Sequence, residues 1–218
     1  MKRKGTFRPP VAREGFPFIF IALAATVIVF WLTGLWWARS VFILLTIFVV
    51  AFFRDPERVV PADPNSIVSP ADGKVIKVER VFDSRFLNAE ANKISIFMSL
   101  FNVHVNRAPA SGKVLKVIYN RGRFFSANLD KASLCNEQNA VIAEGPVGKH
   151  FVFNQIAGLV ARRIVCYLKE GSVLTRGERF GLIRFGSRLD VYLPADCPVS
   201  VKVGEKVKAG ATILGCWK

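Results

Sequence analysis

Arg184-Phe185-Gly186-Ser187-Arg188-Leu189-Asp190-Val191-Tyr192-Leu193-Pro194 decides the reading of this chain. A Gly-Ser pair stands between two apolar, strand-like runs, Phe180 to Phe185 and Leu189 to Leu193. Glycine admits φ > 0 and close backbone approach, so Gly186 can hold the following peptide bond in a strained geometry. The hydroxyl of Ser187 beside such a bond can attack the preceding carbonyl and move the acyl group from nitrogen to oxygen. Taken alone, Gly186-Ser187 reads first as a tight turn between two strands. The rest of the chain separates the two readings.

Working outward, residues beyond Pro56 are β-patterned: short β-branched and aromatic runs punctuated by Gly, Asn, Asp and Pro. Expected strands are Gly73–Val81, Lys93–Ser99, Lys113–Tyr119, Asn139–Ala143, His150–Gln155, Ile164–Leu168, Leu182–Phe185, Leu189–Leu193, Pro198–Val203 and Thr212–Leu214. A helical turn is expected over 157–163, and no long amphipathic helix follows residue 60. The fold class is therefore mainly β (α+β), a compact barrel or sandwich-like domain over 54–218 with short helices. Val203 to Gly210 has the turn-and-strand style of a lipoyl-type barrel, but Lys206 and Lys208 lack the hairpin setting of a carrier lysine.

Ahead of this domain lies an N-terminal hydrophobic helical hairpin. Residues 1–15 are basic, with Lys2, Arg3, Lys4, Arg8 and Arg13. Phe16 to Trp37 is an uncharged run of 22 residues, long enough for a hydrocarbon core of about 30 Å. After Arg39, Val41 to Phe53 adds a shorter run of 13. The anchor thus spans 16–53, in segments of about 16–37 and 41–53. The basic N-terminus favours a cytoplasmic start, and a hairpin returns the chain to that side. Pro56, Pro61 and Pro64 end helical continuation.

The formal charge is +15, of which +10 falls in residues 59–218. A folded part this basic suits an anionic surface. No aromatic-rich RNA-binding motif accompanies the charge, so nucleic acid is not expected as a partner. Cys135, Cys166, Cys197 and Cys216 are widely spaced with no C-x-x-C pair, which indicates neither a zinc site nor a disulfide framework.

Only two histidines occur. His104 lies in Phe101-Asn102-Val103-His104-Val105-Asn106-Arg107-Ala108-Pro109, and His150 sits at an apparent surface turn. If the strand ending near Leu100 continues, Val103 and Val105 share one face and His104 takes the other. Asp72, in Ser69-Pro70-Ala71-Asp72-Gly73, is a turn former by itself. As a functional residue it can orient His104, which then takes the proton of the Ser187 hydroxyl. The spacing alone does not bring the three together.

The Ser-Pro-Ala-Asp-Gly, Phe-Asn-Val-His-Val-Asn-Arg-Ala-Pro and Phe-Gly-Ser-Arg-Leu-Asp-Val-Tyr-Leu-Pro segments together resemble, in content and order, the phosphatidylserine decarboxylase family. The chain is similar to its short, membrane-anchored bacterial type over most of residues 54–218. The resemblance implies a proenzyme that cuts itself between Gly186 and Ser187, giving a β chain 1–186 and an α chain 187–218. Ser187 then becomes a pyruvoyl group (a pyruvic acid residue), the implied cofactor, which binds the substrate amine as a Schiff base and serves as electron sink. No metal and no pyridoxal phosphate are implied.

The implied reaction converts phosphatidylserine to phosphatidylethanolamine and CO2. Its setting is the cytoplasmic side of the cell (inner) membrane, against an anionic lipid surface, by a heterodimer of β and α chains open to further oligomerisation. Asp72 and His104 are the implied catalytic partners of Ser187. Longer members carry an H-x-x-H pair; here His104 takes the first place and Arg107 the second. That leaves His104 for both cleavage and decarboxylation, and suits Arg107, with Asn106, to the lipid phosphate or the substrate carboxylate. The rival reading from another class is a non-catalytic, membrane-anchored basic barrel that binds a partner or anionic lipid.

Overall fold

The computed structural model describes residues 10–122, 135–158, 163–184 and 186–218. Lys2, Arg3, Lys4, Arg8, Phe185 and most of the helical turn expected over 157–163 lie outside them. The chain divides into two compact units, residues 1–57 and 58–218.

The first unit is a helical hairpin, α1 (Phe16–Leu32) and α2 (Trp36–Phe52). With one 3-10 turn ahead of it, α1 completes a helical segment Arg13–Leu32 of 20 residues, whose most apolar 18-residue window has mean hydropathy 2.4, long and apolar enough to cross a membrane. The 17 residues of α2 reach only about 26 Å at 1.5 Å per residue. The break falls at Thr33–Leu35, so Trp36, Trp37 and Arg39 all belong to α2. Arg39 explains the break. Its guanidinium donates to the carbonyls of Phe30 and Thr33 at 2.9 and 2.6 Å, satisfying acceptors that the end of α1 leaves open. Within the hairpin, Thr26 and Thr46 hydroxyls meet at 2.8 Å, and both reach the Ala22 carbonyl. Such polar contacts join helices whose outer faces are apolar. Those faces are exposed here, at Phe20, Ile21, Trp31, Leu32 and Trp36 among others.

The second unit is antiparallel throughout its described pairings. An eight-stranded sheet carries, in spatial order, β12 (Lys206–Val207), β2 (Gly73–Asp83), β3 (Ala89–Met98), β11 (Ser187–Pro194), β7 (His150–Ala157), β6 (Gln138–Glu144), β5 (Gly112–Asn120) and β9 (Val173–Leu174). A three-stranded sheet orders β4 (Val105–Arg107), β10 (Arg179–Ile183) and β8 (Ile164–Cys166), and β1 (Ser66–Val68) pairs with β13 (Ile213–Cys216). The architecture is mainly β and sandwich-like, as the punctuated β pattern predicts.

Alternation places the core. Ile94, Ile96 and Met98 of β3 and Leu189, Val191 and Leu193 of β11 point to the main hydrophobic cluster, with Phe151, Phe153, Phe180 and Trp217. The opposite face holds a smaller cluster, Ala91, Ala140, Val152 and Tyr192, covered by Phe86 and Leu87. Strand β11 is therefore buried on both faces, which explains its near-continuous burial from Ser187 to Leu193. Gly73 is required where β2 meets β3, since a Cβ there would lie 2.2 Å from the Phe97 carbonyl oxygen.

Two expectations change. Pro198–Val203 is not a strand; it contributes an isolated bridge, Val199 to Gly215. The strand before His104 does not continue. It ends at Met98, and a turn follows in which the Asn102 side chain accepts from Ser99 N and Oγ, both at 2.8 Å.

Candidate active site

Gly186 has φ +68°, in the left-handed region that glycine enters without a Cβ penalty. Ser187 immediately opens β11, fully buried, with Met98 of β3 on one side and Ala157 of β7 on the other. The serine that sequence reading places beside a turn is thus the first rung of a central strand, directly after a left-handed residue. The segment ahead is also fixed. Ile183 N donates to the His104 carbonyl (3.4 Å), and Arg184 N donates to the Arg163 carbonyl (3.2 Å).

The Ser187 hydroxyl donates to Met98 Sδ at 3.3 Å. A thioether is a weak acceptor, so this contact orients the hydroxyl without binding it strongly. The same sulfur receives Asn106 Nδ2 at 3.8 Å. Asn106 Oδ1 accepts from Gln155 Nε2 at 2.9 Å, and Gln155 in turn contacts Asn139. Asn106 is fully buried on β4, opposite Gly181. Side-chain contacts therefore join Ser187, Met98, Asn106 and Gln155 into one buried chain. Of these, Met98 and Gln155 have no signal in the sequence, because only the fold makes Met98 a neighbour of Ser187 and Gln155 a neighbour of Asn106.

His104 is buried just ahead of β4, with Nδ1 2.9 Å from the Asn102 carbonyl oxygen. A carbonyl only accepts, so the proton is assigned to Nδ1 and the lone pair to Nε2. Through its own carbonyl, His104 is bonded to the backbone three residues before Gly186.

Asp72 is buried, with Oδ2 taking Arg58 Nη2 at 2.7 Å and Oδ1 taking the Ala209 N–H at 2.8 Å. Its segment lies against β4, where Arg107 N donates to the Pro70 carbonyl at 2.9 Å. Arg58 is a partner that nothing in the sequence singles out. Arg107 is buried as well. Its Nη1 donates to the Gly177 carbonyl at 3.0 Å, and its Cδ packs where a Cβ on Gly210 would approach to 2.8 Å. Backbone bonds thus join the histidine segment to the Asp72 segment on one side and to the strand that leads into Gly186 on the other, while the side chains meet different partners: Asp72 meets Arg58 and Ala209, His104 meets Asn102, and Ser187 meets Met98.

Cys166 on β8 pairs with Gly181, the residue that also partners Asn106. Burial, the largest influence, pushes its thiol pKa up. It stays protonated and is a poor competing nucleophile. Among the described residues no group of three or more His, Cys, Asp or Glu could hold a metal ion. His150 opens β7 and is exposed.

Comparison with known proteins gives the family. The family model described as phosphatidylserine decarboxylase matches residues 45–215. A phosphatidylserine decarboxylase proenzyme of Syntrophus aciditrophicus is 53% identical over 205 residues, covering 94% of this chain and 96% of that protein. One of Desulfotalea psychrophila is 52% identical over 213 residues, with the same coverage. That of Neisseria gonorrhoeae is 50% identical over 206 residues, 94% of this chain and 78% of the longer relative. With a family model matched over most of its length and relatives at this identity, the chain belongs to the phosphatidylserine decarboxylase family.

Proposed function

We propose that this chain is a self-processing proenzyme that decarboxylates phosphatidylserine to phosphatidylethanolamine. The observation that carries the reading is Ser187: a buried serine at the first position of a central strand, after a glycine held at φ +68°, in a member of this family.

In the proposed cleavage, Ser187 Oγ attacks the Gly186 carbonyl carbon. The C–N bond breaks and an ester forms to Oγ, freeing the Ser187 amine. Loss of the Ser187 Cα proton then expels the Gly186 carboxylate and leaves dehydroalanine. Its imine tautomer takes up water and releases ammonia, so one water is consumed for each ammonia formed. The products are a β chain ending at Gly186 and an α chain beginning with the pyruvoyl group of residue 187.

The residues present fit these steps. Gly186 supplies a backbone at φ +68°, a conformation that residues with a Cβ rarely adopt. His104 Nε2 carries the lone pair that takes the hydroxyl proton. Asp72, its carboxylate held by Arg58 and the Ala209 N–H, is the proposed partner that orients the histidine segment, to which its own segment is joined by the Arg107–Pro70 backbone bond. The bound pyruvoyl carbonyl supplies the electron sink that decarboxylation of an amino acid requires. Asn106 lines the Ser187 side chain through Met98, and with Arg107 it is the proposed contact for the substrate's anionic groups. His104 serves both cleavage and later proton handling.

The apolar hairpin of residues 16–53 is the proposed membrane anchor, with residues 54–218 as the catalytic domain on the cytoplasmic side of the cell membrane. Basic residues near an anionic leaflet each contribute about 1 kcal/mol of attraction.

The test is direct. Purified chain is given phosphatidylserine vesicles, and CO2 and phosphatidylethanolamine are measured beside a Ser187→Ala control. Equal yields of both products that vanish in the control support the reading. A cleaved chain that releases no CO2 contradicts it.

A further inference from the structure

Self-cleavage after Gly186 removes a backbone donor as well as a bond. The Ser187 nitrogen leaves as ammonia, so residue 187 of the α chain brings no N–H to the ladder with β3 and β7. New chain ends fray unless something ties them down. Yet this end has to present a reacting carbonyl, where a misplacement of about 1 Å costs about a hundredfold in rate.

The next side chain is tied unusually firmly. Arg188 is fully buried, as are Asp190 and Ser95. Its Nε donates to Asp190 Oδ1 at 2.6 Å, and its Nη2 donates to Asp190 Oδ2 at 3.2 Å and to Ser95 Oγ at 2.9 Å. Asp190 is two residues along the same strand, and Ser95 is its cross-strand partner on β3. One guanidinium therefore fastens the start of β11 both along the strand and across to its neighbour. A buried ion pair contributes little net stability compared with apolar residues of the same size. Registry is a better account of it, and a planar two-pronged donor fixes register more tightly than a point charge.

We propose that Arg188, with Asp190 and Ser95, is the lock that keeps the cut end of β11 in place, so that the group formed from residue 187 stays aimed into the site. Arg188 is a positioning residue, and the proposal rests on the self-cleavage reading above. Before cleavage the lock is redundant. The uncut chain holds Gly186 from upstream through the Ile183–His104 and Arg184–Arg163 backbone bonds, and from downstream through the ladder. After cleavage the upstream restraint no longer acts on residue 187.

The experiment compares Arg188→Met in the cleavable chain and in the uncut Ser187→Ala background. It reads amide exchange over residues 188–193, completeness of cleavage by intact mass, and kcat against KM. In the uncut background, exchange stays within about twofold of the Arg188 parent, while in the cleaved chain it rises by about tenfold or more. In the cleaved variant kcat falls about tenfold or more with KM near wild type, and Arg188→Lys lies between. Should Arg188→Met fail to fold because Asp190 is left buried alone, Arg188→Met/Asp190→Leu removes that charge and carries the same expectation. Cleaved variants with wild-type exchange and kcat overturn the lock, and so does exchange that rises equally in cut and uncut chains. A wild-type chain that stays whole overturns the cleavage reading itself, an outcome that the mass measurement separates from failure of the lock alone.

Discussion

Replacing Gly186 by alanine isolates one contribution to self-cleavage. Among the described residues nothing lies within 4 Å of a Cβ built on Gly186, so the effect of the added methyl is conformational. At φ +68° an L-residue is disfavoured by about 1–2 kcal/mol relative to the right-handed region. If cleavage proceeds from the left-handed geometry, that penalty lowers the reactive population by a factor of about 5–30. The assay is a time course of freshly refolded chain on a denaturing gel, following disappearance of the full-length band. Gly186→Asn is the internal control, because asparagine tolerates the left-handed region better and should fall between glycine and alanine. An alanine variant cleaving at the wild-type rate would refute the claim that the left-handed backbone prepares the bond. A loss far beyond about a hundredfold would also refute it, by pointing to a steric cause that the open surroundings do not supply.

Other outcomes follow from packing and charge. Gly73→Ala drives a Cβ to within 2.2 Å of the Phe97 carbonyl, so it should lower the thermal midpoint through overpacking of about 1–3 kcal/mol, read by calorimetry. Burial, then the Asp190 and Asp83 carboxylates, raises the Tyr192 pKa above the ordinary tyrosine value. The folded state then keeps a proton that the unfolded chain gives up above about pH 10, so this contribution is complete below that pH and is lost as pH rises. Tyr192→Phe should flatten the fall of the thermal midpoint above about pH 10. Arg107→Ala removes the Gly177 contact and the proposed anion contact together. It should raise KM for phosphatidylserine by about tenfold or more, and a fully cleaved variant with normal kcat and KM would remove Arg107 from the substrate site.

The sequence makes some features plain and hides others for identifiable physical reasons. The long strands are legible because their inward residues alternate over many positions, as in β3 and β11. Strands β1, β4, β9 and β12 are two or three residues long, too short to show a period, and exist because distant strands pair with them. Pro198–Val203 has a strand's composition, yet in the fold it makes only one bridge. The hairpin break at Thr33–Leu35 does not interrupt the uncharged run, which continues through Thr33 and Gly34 to Trp37; in the fold the break is marked by the reach of Arg39 to the end of α1. At the site, Gly186-Ser187 and the histidine motif stand out by composition and by resemblance. Met98 and Gln155 do not, because nothing but register makes a methionine and a glutamine neighbours of Ser187 and Asn106. Arg188 and Asp190 stand two residues apart in sequence and still read there as an ordinary charged pair. Only its complete burial on the second face of β11 sets it apart.

The central claim is that Ser187 becomes the reacting group through cleavage at its own peptide bond. Intact mass of purified wild type, taken beside Ser187→Ala, tests it most directly. The account predicts a C-terminal fragment covering residues 187–218 whose mass is one ammonia lighter than the serine-initiated peptide, with Ser187→Ala whole. Folded wild type that remains a single chain of 24.2 kDa would contradict it.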